Sequence, residues 1–484
     1  MHLLCILYNL ECKYILRMKL KNFTRLVPAA LLAALPLCSS AQTTDSVKIN
    51  LFNEATFYDG YLFEKNPDKD LQDGILRHSC SLYAVKMTDE QLNTIGNILG
   101  FNVWVKACCD NYDRIGNINL ALVPKGSTTY DPNTTTRIEL GRFITPFMDK
   151  NKKPDTVPYT YSADYLSWIF RDRSLREQYD MWVEFELFGV PYAANQQIVG
   201  CANRSDVFKG TLEFVTDATP QPLTDDDVLV PIAMKKPEYV GGGNLNNYSE
   251  TATDTIGKTS KTWTFNVPKD VADGQLVIVT SNHGANANGE EYNRRWHYVY
   301  VDDALKLTYK PGRTSCEPFR KYNTQRNGIY GVYNIPYTDS QWQSFSNWCP
   351  GDVIDNRIIN LGSVKSGEHK VMITVPEAKF ADGQGDIPVS IFFQGLTKGK
   401  FTSGITAVNV PKPEVGVSVN GGVLKVSADE RVVGLEIYDL QGKRLYHAYN
   451  GDPVSLASIP SGICLVNVEL ANGLIETHKL ALKK

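Results

Sequence analysis

The sequence predicts an all-β protein assembled from several sandwiches of the jelly-roll kind. Three observations carry that prediction. Nearly every segment reads as a short strand with alternating apolar and polar residues, set off by turn pairs such as Asp273-Gly274, Asn288-Gly289 and Asp382-Gly383. Helical periodicity is confined to two brief stretches, Met87–Leu99 and Ala163–Leu175. The 484 residues exceed what one ordinary core can hold, so more than one domain is required.

The chain opens on what reads as an export leader. From Met18 come Lys19, Lys21 and Arg25, then the apolar run Leu26 to Leu37, then Cys38-Ser39-Ser40-Ala41. A basic start, a short apolar core and small residues before a cut fit a signal peptide cleaved after Ala41. Met1 to Arg17 reads as an upstream start, and the run is too short to span a bilayer. A lipoprotein cut before Cys38 is disfavoured by the bulk of Leu37. The leader therefore occupies 1–41 and points to a secreted or outer-membrane-surface protein of a Gram-negative bacterium. Removing it leaves Cys80, Cys108, Cys109, Cys201, Cys316, Cys349 and Cys464, and an exported chain with these will form disulfides. Their odd number leaves at least one thiol free. None has the spacing and histidine partners of a zinc site.

Strands are expected at Ser46–Phe52, Trp104–Lys106, Ile118–Val123, Met181–Phe188, Gly210–Val215, Thr262–Val267, Leu276–Thr280, His297–Val301 and Ile387–Gln394. Polar, proline-bearing breaks near Asp217–Asp227 and Val410–Pro413 divide the chain into units 43–222, 226–405 and 414–484. A net charge of −3 lacks the basic excess of a nucleic-acid binder. The last unit forms a third, small sandwich. Its Ile437-Tyr-Asp-Leu-Gln-Gly-Lys-Arg-Leu445, its Ile459-Pro-Ser-Gly-Ile463 and its lysine-rich end resemble the C-terminal sorting domain of proteins exported by the type IX system of Bacteroidota. That resemblance, over about 60 residues, implies passage through the type IX secretion machinery and removal of the domain. Cys464, in an apolar strand, is expected to be the free buried thiol.

Carboxylates are the best candidates for chemistry, because the seven histidines are too scattered for a Ser-His-Asp triad. Copper chemistry would need clustered His or Met ligands, and the spacing does not supply them. Asp113 and Arg114 occupy a polar turn between two β-like stretches, next to Cys108 and Cys109, which could pin it. Alternatively the stretch is a solvated acidic hairpin. In Met181–Phe188, alternation puts Trp182, Glu184, Glu186 and Phe188 on one face, with the two carboxylates roughly 7 Å apart. A third acidic stretch runs from Asn282 to His297 and holds His283 and Glu291; a hydrophilic or calcium-binding loop is the alternative there. Carboxylates facing one another repel, which raises a pKa and suits acid–base work.

The Asp113-Arg114 turn followed by Ile138-Glu-Leu-Gly-Arg-Phe-Ile-Thr-Pro-Phe147 resembles the peptide-N-glycosidase F family of bacterial amidases. Further matches follow in order: the acidic strand 181–188, the His283 to His297 loop, Arg313-Thr-Ser-Cys316, Trp348-Cys-Pro-Gly351 and the strand near 387–394. The resemblance spans about 46–395 and implies two eight-stranded antiparallel jelly rolls side by side, with the site in the cleft between them. It implies hydrolysis of the amide between N-acetylglucosamine and asparagine in N-linked glycoproteins or glycopeptides, by a monomer that uses no metal and no cofactor. By position, Asp113, Glu291 and Glu186 match the catalytic carboxylates. Arg114, His283, Phe188 and Trp348 fall at substrate-binding places, and Cys316 and Cys349 at a family disulfide. Arg114 is expected to hold a sugar hydroxyl and keep Asp113 charged. The sequence departs from the pattern at Phe188 (Trp in the family), Phe345 (Arg), and Gly289 and Asn293 (a cysteine pair). A glycosidase, which would cut a sugar–sugar bond, and a glycan-binding protein with a decayed site are the rival readings.

Overall fold

The structure is a computed structural model that describes residues 46–62, 71–217, 222–224, 227–234, 244–247, 259–284, 291, 293–313, 316–325, 347–378, 386–401, 415–428, 432–439, 443–448, 451–470 and 475–482. The leader, Phe345 and Gly289 lie outside these residues. It is all-β, with several antiparallel sheets. Helix among the described residues is limited to short pieces: 89–94 lies inside the first stretch whose periodicity suggested it, 173–178 overlaps only the end of the second, and 194–197 lies in neither.

The first nine strands are β1 (Ser46–Tyr58), β2 (Ile75–Arg77), β3 (Leu82–Lys86), β4 (Leu99–Ala107), β5 (Ile115–Pro124), β6 (Thr136–Ile144), β7 (Thr156–Ser162), β8 (Tyr179–Leu187) and β9 (Asp206–Asp217). Strands β1, β9, β4 and β7 make one sheet, in that order. The other runs β6-β5-β8-β3-β2 and is extended beyond β6 by β16 (Val353–Ile354), which comes from much later in the chain. Between the sheets lies an aromatic core in which Phe57 stacks on Tyr83 and Phe101 on Tyr161, with ring centroids 4.6 and 4.3 Å apart. Strand β4 obeys the predicted alternation: Val103 and Val105 point into this core, while Asn102, Trp104 and Lys106 are half-exposed. Strand β5 is buried on both faces up to Val123.

A second pair of sheets is built from β10 (Val228–Ala233), β11 (Asn244–Asn247), β12 (Ser260–Val267), β13 (Val271–Thr280), β14 (His297–Val301), β15 (Ala304–Tyr309), β17 (Arg357–Val364), β18 (Gly367–Thr374) and β19 (Asp386–Leu396). The order is β10-β19-β13-β17, with β11 on β19, facing β12-β18-β14-β15. Residues 415–482 form two further small sheets around a core of Leu435, Ile437, Val466 and Val468. Cys464 is a free, buried thiol in that core, as expected.

The first two sandwiches share an apolar seam in which Ile115, Ile144 and Phe147 pack with Val279, Phe319, Trp348 and Ile354. The expected Cys316–Cys349 disulfide lies in this seam, with the two Cα atoms 5.4 Å apart. Of the four remaining cysteines, one bridge forms, Cys109–Cys201. Cys80 and Cys108 are buried thiols, and burial together with nearby Asp206 pushes the Cys108 thiol up to about 12. The Cys316–Cys349 bridge closes a sequence separation of 33 residues. Loop entropy predicts that Cys349→Ser lowers stability by about 3–4 kcal/mol. Urea unfolding measures this, and a midpoint equal to that of the oxidised wild type contradicts it.

Candidate active site

The Asp113 turn is not a hairpin. Strand β4 belongs to the four-stranded sheet and β5 to the larger one, so residues 108–114 carry the chain across the mouth of the first sandwich. The Cys109–Cys201 bridge ties the turn down at one end. Asp110, with its carboxylate fully buried, organises the rest. It accepts from the backbone N–H of Tyr112 at 2.9 Å and of Val190 at 2.7 Å, and from Arg114 Nε at 2.6 Å. At the other end Arg114 N donates to Thr145 Oγ1 at 2.7 Å, and Thr145 N donates to the Arg114 carbonyl at 2.8 Å. The Arg114 guanidinium is thus held by Asp110 and lies 5.3 Å from the Tyr112 ring centroid.

Asp113 is half-buried, and its Oδ2 is buried without a hydrogen-bond partner. Burial, and next the negative charge of Glu291, push its carboxyl well above the usual carboxylate range. Arg114 pulls the other way without prevailing, and Asp110 adds to the upward push. Arg114 is expected to keep Asp113 charged, and its guanidinium does pull that way, but burial and Glu291 outweigh it.

Glu291 arrives from the second sandwich, in the connection between β13 and β14. Its Oε2 accepts from Gly284 N at 3.1 Å. Asn347 fixes the backbone of Glu291: Nδ2 donates to the Glu291 carbonyl at 2.9 Å and to that of Asn293 at 3.1 Å. Asn347 is held in turn by its neighbours. Trp348 is buried, donates Nε1 to the Asn282 carbonyl at 3.1 Å and stacks on His283 at 5.9 Å, and Cys349 carries the disulfide. His283 pairs through its backbone with Asp386 and through Nε2 with Ser281 Oγ at 2.8 Å. His297, at the far end of this stretch, is buried. Burial pushes its imidazole down to about 4, so it is neutral above that pH.

The third carboxylate lies on the outer face of the β6-β5-β8 sheet, and that face is covered rather than solvated. Glu186 stands opposite Asn117 and Glu184 opposite Asn119. Both glutamates are buried. Glu184 accepts from Arg137 Nη2 at 2.5 Å, Tyr130 Oη at 2.8 Å and Asn119 Nδ2 at 3.1 Å. Next to them sits a second buried ion pair that sequence reasoning missed. Glu139 and Arg142 are three apart, so a regular strand would point them to opposite faces. A bulge between the Asn119–Glu139 and Ile118–Gly141 pairs puts both on the outer face, where they are fully buried and 2.8 Å apart.

Phe188 is buried, with Tyr61 edge-on above it at 5.3 Å. Among the described residues, Tyr61, on Phe188, and Tyr192, next to Tyr112, present exposed aromatic rings, at 65% and 61% exposure. Neither carries a motif by which the sequence could have singled it out. Among the described residues no three His, Cys, Asp or Glu side chains are grouped to hold a metal ion.

The chain matches the family model for the N-terminal part of peptide-N-glycosidase F over residues 48–203, and that for its C-terminal part over residues 247–394. Among solved structures, two crystal forms of PNGF-II match at 18% and 19% identity, with TM-scores of 0.53 and 0.51, each over 73% of this chain. The chain spans 65% and 66% of those two proteins, just under two thirds of their length. PNGase F, a glycosylasparaginase from Flavobacterium meningosepticum, matches at 15% identity and a TM-score of 0.47, over 74% of this chain and 98% of its own. No curated protein matches by sequence. At these identities the structures speak for the fold alone. The two family models, in order along the chain and together covering more than half of it, assign the protein: it belongs to the peptide-N-glycosidase F family.

Proposed function

We propose that the protein hydrolyses the amide between N-acetylglucosamine and asparagine in N-linked glycoproteins and glycopeptides, releasing the whole glycan. The observation that carries this reading is the Asp113–Glu291 pair. One carboxyl comes from each sandwich, and burial together with the Glu291 charge pushes Asp113 toward its protonated form. A carboxyl held protonated that faces a second carboxyl can supply an acid and a base at one site.

In this reading Glu291, oriented by the Gly284 N–H, takes a proton from water as the water oxygen attacks the side-chain carbonyl carbon. Asp113 hydrogen-bonds the linkage nitrogen and gives it a proton as the carbon–nitrogen bond breaks. The products are aspartate in the peptide and a glycosylamine, which water later converts to the free sugar and ammonia. Glu186 acts on this pair through a bound water, and Arg114, oriented by Asp110, hydrogen-bonds a sugar hydroxyl. His283 lines the cleft. Trp348, being buried, contributes by holding His283 and the Asn347 clamp on Glu291, and Phe188 supports the exposed ring of Tyr61.

We further read the first two sandwiches as paired eight-stranded jelly rolls. The protein acts as a monomer outside the cell, delivered by its leader and a type IX sorting domain at 414–484. The test uses the chain without leader or sorting domain, incubated with denatured glycoprotein and a chelator. Intact glycans are expected, with aspartate at each glycosylation site. One N-acetylglucosamine left on asparagine, or release abolished by the chelator, overturns the reading. Glycan binding without any release favours the binding-protein alternative.

A further inference from the structure

The buried ion pair between Glu139 and Arg142 is bonded on every side that the structure describes, and nothing in the proposed chemistry uses it. Both side chains are fully buried. Arg142 gives Nε and Nη2 to the two Glu139 oxygens at 2.8 Å each. Its Nη1 crosses to the second sandwich, donating to Ser281 Oγ at 2.8 Å and to the Pro388 carbonyl at 2.9 Å. Glu139 makes the reciprocal crossing by accepting from Ser390 Oγ. On its own side it accepts from Asn117 Nδ2 at 2.5 Å.

Both ends of this chain of bonds reach the candidate site. Ser281 Oγ also bonds His283 Nε2, two residues along the connection that leads to Glu291. Asn117 is the cross-strand partner of Glu186 and of Arg142. An unbroken hydrogen-bonded path therefore runs from His283 through Ser281, Arg142 and Glu139 to Asn117, beside Glu186. A buried ion pair adds little net stability over apolar residues of the same shape, because desolvation offsets its attraction. What it supplies is direction: the planar fork of an arginine bonds only at fixed angles.

We propose that the Glu139–Arg142 pair is a positioning element that sets the His283–Glu291 side of the site against the Asp113–Glu186 side. It touches no substrate. It fixes the relative placement of carboxyls carried by two different sandwiches, where a misplacement of about 1 Å can cost on the order of 100-fold in rate. This inference rests on the amidase reading of the site.

Two variants test it. Arg142→Lys keeps the charge and loses the fork. Glu139→Gln with Arg142→Met removes both charges, which spares the fold the unpaired charge that a single removal would leave. The double variant is expected to keep a Tm close to wild type, while Arg142→Met alone loses roughly 10 °C. In both test variants kcat should fall by about 100-fold with KM within a few fold, the mark of a group acting through orientation rather than binding. Folded variants with wild-type kcat overturn the inference. If the wild type itself releases no glycan, the amidase reading fails, and the inference is then decided by the NMR titration of the His283 imidazole, which needs no substrate. A His283 titration displaced in Arg142→Lys upholds the coupling, and an unchanged one overturns it.

Discussion

Asp113→Asn is expected to remove essentially all turnover, on the order of 10³-fold or more, while making the folded protein more stable at neutral pH. The first effect follows from losing the proton that goes to the linkage nitrogen. The second follows from the cause of the raised pKa. Burial and the facing Glu291 charge both oppose an anion at this position, and Oδ2 has no hydrogen-bond partner to offset them. In the window between the usual carboxylate range and the raised value, the folded chain holds a proton that the unfolded chain has lost. Stability therefore falls as pH rises through that window. Asparagine carries no such charge, so the variant's Tm should exceed that of wild type at pH ~7–8, with the gap shrinking as pH falls toward ~4 and closing below ~3, where both states are protonated. Paired melting curves across this range measure it. A gap that is absent or independent of pH contradicts the assigned cause.

Glu184→Gln should have the largest cost in stability. Glu184 shares its strand face with Glu186, and by the family resemblance it has no counterpart among the catalytic carboxylates. The structure gives it a structural task instead. Its carboxylate is fully buried and takes three donors, among them Arg137, whose own side chain is 2% exposed. Removing the negative charge strands that guanidinium in a covered layer, at a cost of about 3–5 kcal/mol. Glu184→Met combined with Arg137→Met should recover most of the loss. Urea unfolding of the three proteins decides the matter. A Glu184→Gln midpoint equal to that of wild type would contradict the buried-pair account. The same assay separates this residue from Glu186, whose substitution is expected to act on turnover.

The strand framework was legible because sandwich strands announce themselves by period two. His297–Val301 was delimited without error, and β4 alternates as read. Ends were less legible: β1 runs on to Tyr58 and β9 begins at Asp206, where bulges shift the register that a regular alternation would keep. The same kind of irregularity hid the Glu139–Arg142 pair, since no local pattern marks the bulge that turns both residues to one face. Asp113 and Glu291 could be nominated from motif order. The physical reason they work on each other, approach from two sandwiches, is a long-range fact that neither segment contains. The cover over the face around Glu184 was not legible for a related reason. Alternation tells which residues share a side, but not whether a second sandwich and the Tyr130 segment will close over it.

The central claim is that this chain cleaves the sugar–asparagine amide with the Asp113–Glu291 pair. The most direct measurement is mass spectrometry of a defined N-glycopeptide incubated in heavy-oxygen water with wild type and with Asp113→Asn, each confirmed folded. The account predicts aspartate carrying one heavy oxygen atom for wild type, and unconverted glycopeptide for the variant. Asparagine retaining one N-acetylglucosamine, or labelled aspartate formed equally well by Asp113→Asn, would contradict it.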